Sequence, residues 1–442
     1  MLEIKPGIYP FLMKDSEGKS RIHLRIEPDG KGILLVNAAR LFHLNETGVI
    51  IAFLALNGKS ETEIVKELVR RFKVIKKTAT ADFQAFQNQF REIIHPSELC
   101  PIHDLGIETL APFSKKPSAP YRMDLAITYR CNNACLHCYN QPNRAHSELN
   151  AKQWKSVLDR LWDVGVPHIV FTGGEPTLRE ELPELIAHAE KLGQISGINT
   201  NGRELKHKER IQQYKDAGLD HIQITLESSE PAFHDQMVNH TGAWEETVAG
   251  IRNAVTEKLF VMTNTTLLRT NSAKLGETLD FLAELGVPTV GLNALIHSGR
   301  GAKVTTGLDE SELTSLLDLA IKKTTQNGQK LIWYTPTQYC HFDPVQMQLG
   351  VKGCSAASYA MCVEPDGSVI PCQSYYSSLG NILADPWEGI WNHDLALSLR
   401  EHKNVSINCL PCPLFTECGG GCPLSQKLTR PEPTMIHSQL QV

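Results

Sequence analysis

The sequence predicts an α/β protein in three parts: a winged-helix-like α+β module, a parallel sheet of six β-α units, and a cysteine-rich segment folded around metal. Three patterns predict this. Strand-like and helical runs alternate from residue 121 onward, which argues for a parallel sheet, open or curled into a partial barrel. Before residue 96, two or three β-like runs are followed by three short helical patterns. Beyond Cys340 the periodicity fades and cysteine, proline and glycine become frequent. At roughly 150 residues per domain, 442 residues allow two to four domains.

In the first module, β-like runs at 22–27 and 32–37 flank Pro28-Asp29-Gly30-Lys31, which has turn chemistry. An apolar stretch over 45–56 is closed by Asn57-Gly58. Ser60 and Glu63 form a capping-box pattern ahead of Ile64, Leu68 and Phe72 at helical spacing. A third helix carries Phe83, Phe86, Phe90 and Ile93. Pro101, Pro112, Pro117 and Pro120 then mark a linker. Strand-like runs begin near Asp124, His168, Ser196, His221, Val261 and Thr289, with helical patterns at 151–164, 181–192 and 272–285. A last helix over 309–326 and a strand over 331–336 close the region. Such sheets place chemistry at the C-terminal ends of their strands. The division read from these shifts is 1–96, a linker over 97–120, 121–338 and 339–442.

Composition narrows the function. An apolar fraction of 41% with 21% charged residues is ordinary for a globular chain. A net charge of −5 disfavours nucleic-acid binding driven by bulk charge. The longest uncharged apolar run, 49–56, is far short of a membrane span. No basic segment followed by an apolar core marks the N-terminus for export, so a cytoplasmic location is expected.

The twelve cysteines are clustered. In a reducing compartment such clusters read first as metal ligands. Cys131, Cys135 and Cys138, followed by Tyr139, lie in a loop after the first strand-like run. A zinc site there would want a fourth ligand, a place His137 is near enough in sequence to fill. A four-iron cluster with three protein ligands instead leaves one iron open. Gly173-Gly174-Glu175-Pro176 ends the second strand, where glycines permit close backbone approach and a carboxylate offsets a cation.

The Cys-x3-Cys-x2-Cys loop and this second motif together resemble the radical S-adenosylmethionine (SAM) superfamily. The resemblance implies a partial (β/α)6 TIM-like barrel. It also implies a 4Fe–4S cluster on Cys131, Cys135 and Cys138, with SAM contacts from Tyr139, Gly173, Gly174, Glu175, Thr225, Glu227 and Asn264. The plainer reading of Thr225, Glu227 and Asn264 is a set of polar barrel residues with no special role. The implied chemistry is reductive cleavage of SAM to a 5′-deoxyadenosyl radical, which abstracts hydrogen from the substrate.

Downstream, Cys354, Cys362, Gly367 and Cys372, then Cys409, Cys412, Cys418 and Cys422, resemble the SPASM iron–sulfur extension with two auxiliary 4Fe–4S clusters. The resemblance assigns Cys354, Cys362, Cys372 and Cys422 to one cluster, and Cys409, Cys412 and Cys418 to the other. The family's last cysteine is absent, leaving an open iron or a ligand such as Cys340, His437 or an acid. Gln373 stands where SPASM sulfatase-maturing enzymes place an acidic base, which disfavours that reaction. Within 1–96, Leu44-Asn-Glu-Thr-Gly48 and Leu56-Asn-Gly58-Lys-Ser-Glu resemble leader-peptide-binding domains of ribosomal-peptide maturases, in which a peptide adds as a strand to a sheet edge. The expected partners are a precursor peptide or protein substrate and a reductant such as ferredoxin or flavodoxin. Two alternatives remain: a maturase in cofactor biosynthesis or for an enzyme subunit, and a non-catalytic iron–sulfur binding or electron-carrier protein. His297, Arg300, Tyr334 and Gln373 are the pocket candidates.

Overall fold

The computed structural model describes residues 4–15, 18–37, 40–94, 117–140, 147–403 and 405–425. The chain opens with four antiparallel strands in the order β1 (Gly7–Asp15), β2 (Gly18–Ile26), β3 (Gly32–Val36) and β4 (Arg40–Leu44). Three helices follow: α1 (Glu46–Leu56), α2 (Glu61–Phe72) and α3 (Lys76–Ile94). The sequence patterns pointed to two or three strands. β1 carries Pro10 and pairs only with β2, and an edge strand tolerates proline. The Asn45 side chain caps α1 by accepting from Gly48 N at 2.8 Å. Ser60 and Glu63 form the expected capping box on α2. α1 is apolar on nearly all sides because it is sandwiched. Val49 and Ala52 face Ile22, Leu24 and Leu34 of the sheet, while Ile50, Ile51 and Leu54 face Ile64 and Leu68 of α2 and Phe83 of α3.

The alternation of β2 decides how this module attaches. Ile22, Leu24 and Ile26 point to α1, so Arg21, His23 and Arg25 point the other way, and all three are buried. Arg21 donates to Asp220 Oδ1 at 2.7 Å and pairs with Glu190. His23 Nε2 donates to Gly193 O at 2.7 Å. Arg25 donates to Ala119 O at 3.1 Å and Gly165 O at 3.2 Å, and lies over the Tyr121 ring. Gly165, Gly193 and Asp220 lie three, two and one residues before three successive barrel strands. The module is therefore fixed to the N-terminal rim of the barrel.

That barrel is an open, parallel sheet: β5 (Arg122–Thr128), β6 (His168–Gly173), β7 (Ile195–Thr200), β8 (His221–Thr225), β9 (Phe260–Leu267), β10 (Thr289–Ala294) and β11 (Lys330–Trp333), each beside the next. Between them run α4 (Ala151–Asp163), α5 (Leu182–Leu192), α6 (Lys208–Asp216), α7 (Pro231–Val238), α8 (Ala243–Thr256), α9 (Leu275–Glu284) and α10 (Glu310–Gln326). Capping boxes start α4 at Asn150 and α10 at Asp309. On β5, Met123, Leu125 and Ile127 join the core with Trp154 and Leu158 of α4, leaving Asp124, Ala126 and Thr128 on the opposite, interior face.

The sheet continues past the barrel. β12 (Ala360–Val363) pairs in parallel with β5, and β13 (Ser368–Ile370) and β14 (Gly380–Asn381) extend it antiparallel. Three short helices follow, α11 (Trp387–Trp391), α12 (Asp394–Arg400) and α13 (Phe415–Cys418). Met361, Val363, Val369, Ile382, Ile390 and Trp391 enter the same core as the barrel helices. Sheet register and apolar packing thus hold the first half of the tail alongside its cysteines. Among the described residues, no helix is long and apolar enough to cross a membrane.

Candidate SAM and iron–sulfur site

The loop leaving β5 at its C-terminal end carries Cys131, Cys135 and Cys138, all unbridged and close enough for their charges to interact. The loop is pinned along its length. Ala134 N and Leu136 N donate to Val238 O and Met237 O, each at 3.0 Å. Asn133 N donates to Cys131 Sγ at 3.4 Å. Asn201 Nδ2 donates to Asn132 Oδ1 at 2.7 Å, and Arg203 donates to Asn133 Oδ1 at 2.9 Å. Burial pushes the Cys131 thiol up to about 11 and the Cys135 thiol well above its usual range. Such thiols become thiolates when a metal supplies the compensating charge.

The Gly173–Glu175 edge at the end of β6 is zipped onto this loop. Gly174 N donates to Thr128 O at 2.7 Å and Glu175 N to Arg130 O at 2.8 Å. A Cβ on Gly174 would stand 2.3 Å from Arg130 O, and one on Gly173 2.0 Å from Thr128 O, so only glycine fits. Asn140 Nδ2 donates to Gly173 O at 2.6 Å. The Glu175 carboxylate is fully buried and accepts from Thr177 N, the Thr177 and Thr200 hydroxyls and Asn201 N, at 2.5–3.1 Å. Burial raises its pKa. Its visible work is to tie the ends of β6 and β7 beneath the cysteine loop.

Glu227 lies just past β8 and is similarly occupied. Its carboxylate meets His137 Nε2 at 2.9 Å and accepts from Thr266 N at 2.9 Å. His137 is thus held by Glu227 within the cysteine loop, and the sequence signal for this was its place between Cys135 and Cys138. Thr225 and Asn264 are register neighbours on β8 and β9, half-buried on the interior face. Asn264 Nδ2 donates to Asn293 Oδ1 at 2.8 Å, while its own Oδ1 is buried without a partner. Tyr139 donates to Gln373 Oε1 at 2.5 Å, and Gln373 Nε2 donates to Asp124 Oδ2 at 2.7 Å. Gln373 therefore links the cysteine loop to β5. Arg300 has a buried Nε without a partner and its charge reaches Cys135, whereas His297 is lowered in pKa by partial burial. Tyr334 lies over Gly291, with its hydroxyl 3.4 Å from Met262 Sδ.

The tail thiols fall into two groups. Cys354, Cys372 and Cys422 interact through their charges, and burial pushes Cys372 up to about 12. Cys362 sits on β12 in an apolar cluster with Ala126 and Ile370, with Cys372 as its nearest thiol neighbour by charge. Cys409 and Cys418 form the second group, and Cys412 N donates to Cys409 O at 3.1 Å. Gly419, Gly420 and Gly421 all have positive φ, turning the chain so that Cys418 and Cys422 serve different groups. Among the described residues, no three His, Cys, Asp or Glu side chains converge on a single ion. Each thiolate of a four-iron cluster binds a different corner, so its ligands need not converge on one point.

These donors fit the groups implied by the sequence: unbridged thiols in pinned loops, with an unpartnered amide oxygen facing the barrel interior. Residues 125–282 match the Radical SAM superfamily, 354–413 the SPASM iron-sulfur cluster-binding domain, and 32–93 the coenzyme PQQ synthesis protein D (PqqD) family. The Fe-coproporphyrin III synthase of Methanosarcina barkeri is 28% identical over 336 residues, covering 69% of this chain and 83% of that protein. PqqA peptide cyclase of Streptomyces rochei is 27% identical over 318 residues, covering 69% and 84%. Streptococcus suis SuiB, in complex with precursor peptide SuiA, shares the fold with a TM-score of 0.67 at 16% identity, over 95% of this chain and 97% of that one. Radical SAM, SPASM and PqqD domains are thus found in one chain, the PqqD-like module before the barrel and the SPASM domain after it.

Proposed function

We propose that this chain is a radical SAM/SPASM maturase that binds a ribosomally made precursor peptide through residues 1–96 and abstracts hydrogen from one of its residues, leaving a crosslink or an oxidised position. The observation that carries this reading is the seating of three thiols against the Gly173–Glu175 edge at the C-terminal mouth of the barrel. A PqqD-like module in the same chain points to a peptide substrate.

When bound, the cluster and SAM supply a one-electron cleavage that yields a 5′-deoxyadenosyl radical. Cys131, Cys135 and Cys138 hold the cluster. Gly173, Gly174 and Tyr139 shape the seat of SAM, and Thr225 and Asn264 offer polar groups to it from the interior face. Glu175 and Glu227, already bonded within the protein, keep the loop and the strand ends in place. Cys354, Cys362, Cys372 and Cys422 hold one auxiliary cluster, and Cys409, Cys412 and Cys418 contribute to the other. The free edge of β4 receives the leader as an added strand. The parts are 1–96 for the peptide, 97–120 as linker, 121–338 for SAM and 339–442 for the auxiliary clusters. A ferredoxin or flavodoxin in the cytoplasm supplies the electron.

The names of relatives support the peptide reading, since one is a peptide cyclase and SuiB was solved with a precursor peptide. A second reading, a maturase acting on a tetrapyrrole, is favoured by the similarity to Fe-coproporphyrin III synthase and AdoMet-dependent heme synthase. Incubating the reduced, reconstituted protein with SAM separates the possibilities. 5′-Deoxyadenosine above a Cys131→Ala control establishes the chemistry, and its absence refutes it. A mass change in a short precursor encoded beside the gene supports the peptide reading. A change in an iron porphyrin, with none in the precursor, supports the second.

A further inference from the structure

We propose that Cys340 is the fourth protein ligand of the auxiliary cluster held by Cys409, Cys412 and Cys418. The proposal rests on the SPASM reading of the tail and assigns the ligand for which that reading lacks a residue. Cys422 is the last cysteine of the 442 residues. Of the eleven described cysteines, three belong to the loop after β5, four to the first auxiliary set and three to the second; Cys340 is the one left over.

The structure places it at that second set. The segment Thr337–Cys340 is strapped across the turn that carries Cys418. Tyr339 N donates to Cys418 Sγ at 3.4 Å, and the Cys418 thiol lies 3.6 Å from Thr337 O. Gln338 Nε2 donates to Gly420 O at 3.2 Å. A Cβ on Gly421 would stand 2.9 Å from Gln338 Cγ, so the two segments are in direct contact. Cys340 follows Tyr339 directly, and its thiol lies near enough to Cys418 and Cys409 for their charges to interact. An N–H bonded to a ligand sulfur is also how a protein tunes and orients an iron–sulfur cluster.

Other donors nearby are less suited. His341 Nδ1 is 2.5 Å from Glu310 Oε2, and Glu310 also faces Gln338 N at 3.3 Å. His402 packs over Gly419. Thiolate is the softer donor and the usual ligand of four-iron clusters. With four thiolates this cluster would have no open corner for substrate.

The test compares full-length wild type with Cys340→Ser after anaerobic reconstitution, by iron and sulfide content and by electron paramagnetic resonance. Wild type should hold about twelve iron atoms in three four-iron clusters. Cys340→Ser should fall to about eleven, with a three-iron signal in the oxidised protein, or to about eight if the cluster is lost. Cys100→Ser should match wild type. A Cys340→Ser protein with wild-type iron and spectra overturns the proposal, as does a His402→Ala protein that alone shows the change. Wild type with only about four iron atoms overturns the tail reading itself. A measurement on wild type guards against a variant that does not fold. Cys340 is exposed in the polypeptide, yet as a ligand it should resist anaerobic alkylation as strongly as Cys409, Cys412 and Cys418. Labelling at the rate of a free thiol, with those three protected, refutes it.

Discussion

Gly174→Ala tests whether the glycine edge is a support for the cysteine loop. The added Cβ would stand 2.3 Å from Arg130 O, 2.6 Å from Tyr129 O and 2.8 Å from Arg130 C. All three neighbours are backbone, so no rotamer change relieves the clash. Reaching even the 3.0 Å limit of real Cβ contacts requires the gap to open from 2.3 Å by about 0.7 Å. The moving part is the chain between β5 and Cys131, held by the Gly174 N–Thr128 O and Glu175 N–Arg130 O bonds. Overpacking of this kind costs about 1–3 kcal/mol. A displacement approaching 1 Å at a reacting centre costs on the order of 100-fold in rate. The expected result is a lower melting temperature and 5′-deoxyadenosine formation reduced about 100-fold, with the two tail clusters retained. Gly389→Ala is the matched control. Nothing lies within 4 Å of its Cβ, and it sits in α11. It should stabilise by about 0.4–1 kcal/mol and leave turnover unchanged. A Gly174→Ala protein with wild-type stability and turnover would show that the edge does not brace the loop.

Glu227→Ala strands buried His137 and Thr266 N, costing about 1.5–3 kcal/mol per lost charge-assisted bond; chemical denaturation should report this, together with weaker cluster retention. His23 makes stability pH-dependent. Burial lowers its pKa from 6.5 to about 4, so below pH 6.5 the unfolded chain takes a proton that the folded chain refuses. The contribution, about 3 kcal/mol, is intact above pH 6.5 and lost as pH falls toward 4. His23→Gln, which keeps a donor for Gly193 O, should flatten the fall in stability between pH 6.5 and 4; an unchanged slope counts against this. Arg21→Ala leaves Asp220 and Glu190 without their buried cation, so amide exchange in β2 should quicken while 5′-deoxyadenosine formation in the absence of peptide stays near wild type. Equal protection of β2 in both proteins would mean that the module is held by something else. A leader seated on β4 must pass from the N-terminal rim to the C-terminal mouth, at least one strand of six residues or about 20 Å. Precursors with fewer than about six residues between the leader and the modified position should therefore bind without being modified.

The parts legible in the sequence were those whose chemistry is local. Cys131, Cys135 and Cys138 must come from one loop, so their spacing survives as a motif. Gly173 and Gly174 were legible for a related reason: backbone packed on backbone admits no side chain. The carboxylates were harder to read. The Glu175 oxygens meet Thr177, Thr200 and Asn201, two of them from β7 and its exit. Glu227 meets His137, ninety positions earlier. No short pattern encodes a partner brought in by another strand. The tail's apolar packing escaped notice because β12, β13 and β14 have four, three and two residues, too few for a period of two to show.

The attachment of the N-terminal module bears on how a peptide enzyme of this build would work. Arg21, His23 and Arg25 are buried polar groups, and each is matched to a carboxylate or carbonyl at the start of a barrel strand or in the segment before β5. Breaking such an interface exposes unpaired groups on both sides, so the module is expected to stay on the barrel while a substrate comes and goes. Nor is it placed beside the cysteine loop, which lies at the opposite rim. Binding energy gained by a leader at β4 would therefore not align the target carbon directly; it would raise the local concentration of the downstream segment around the mouth. Selection of the residue that reacts would then fall to the interior face and the tail, where Gln373 joins Tyr139 to Asp124. On the proposed reading, leader recognition and site selection would be separable, since the buried contacts of β2 hold the two at opposite ends of one barrel.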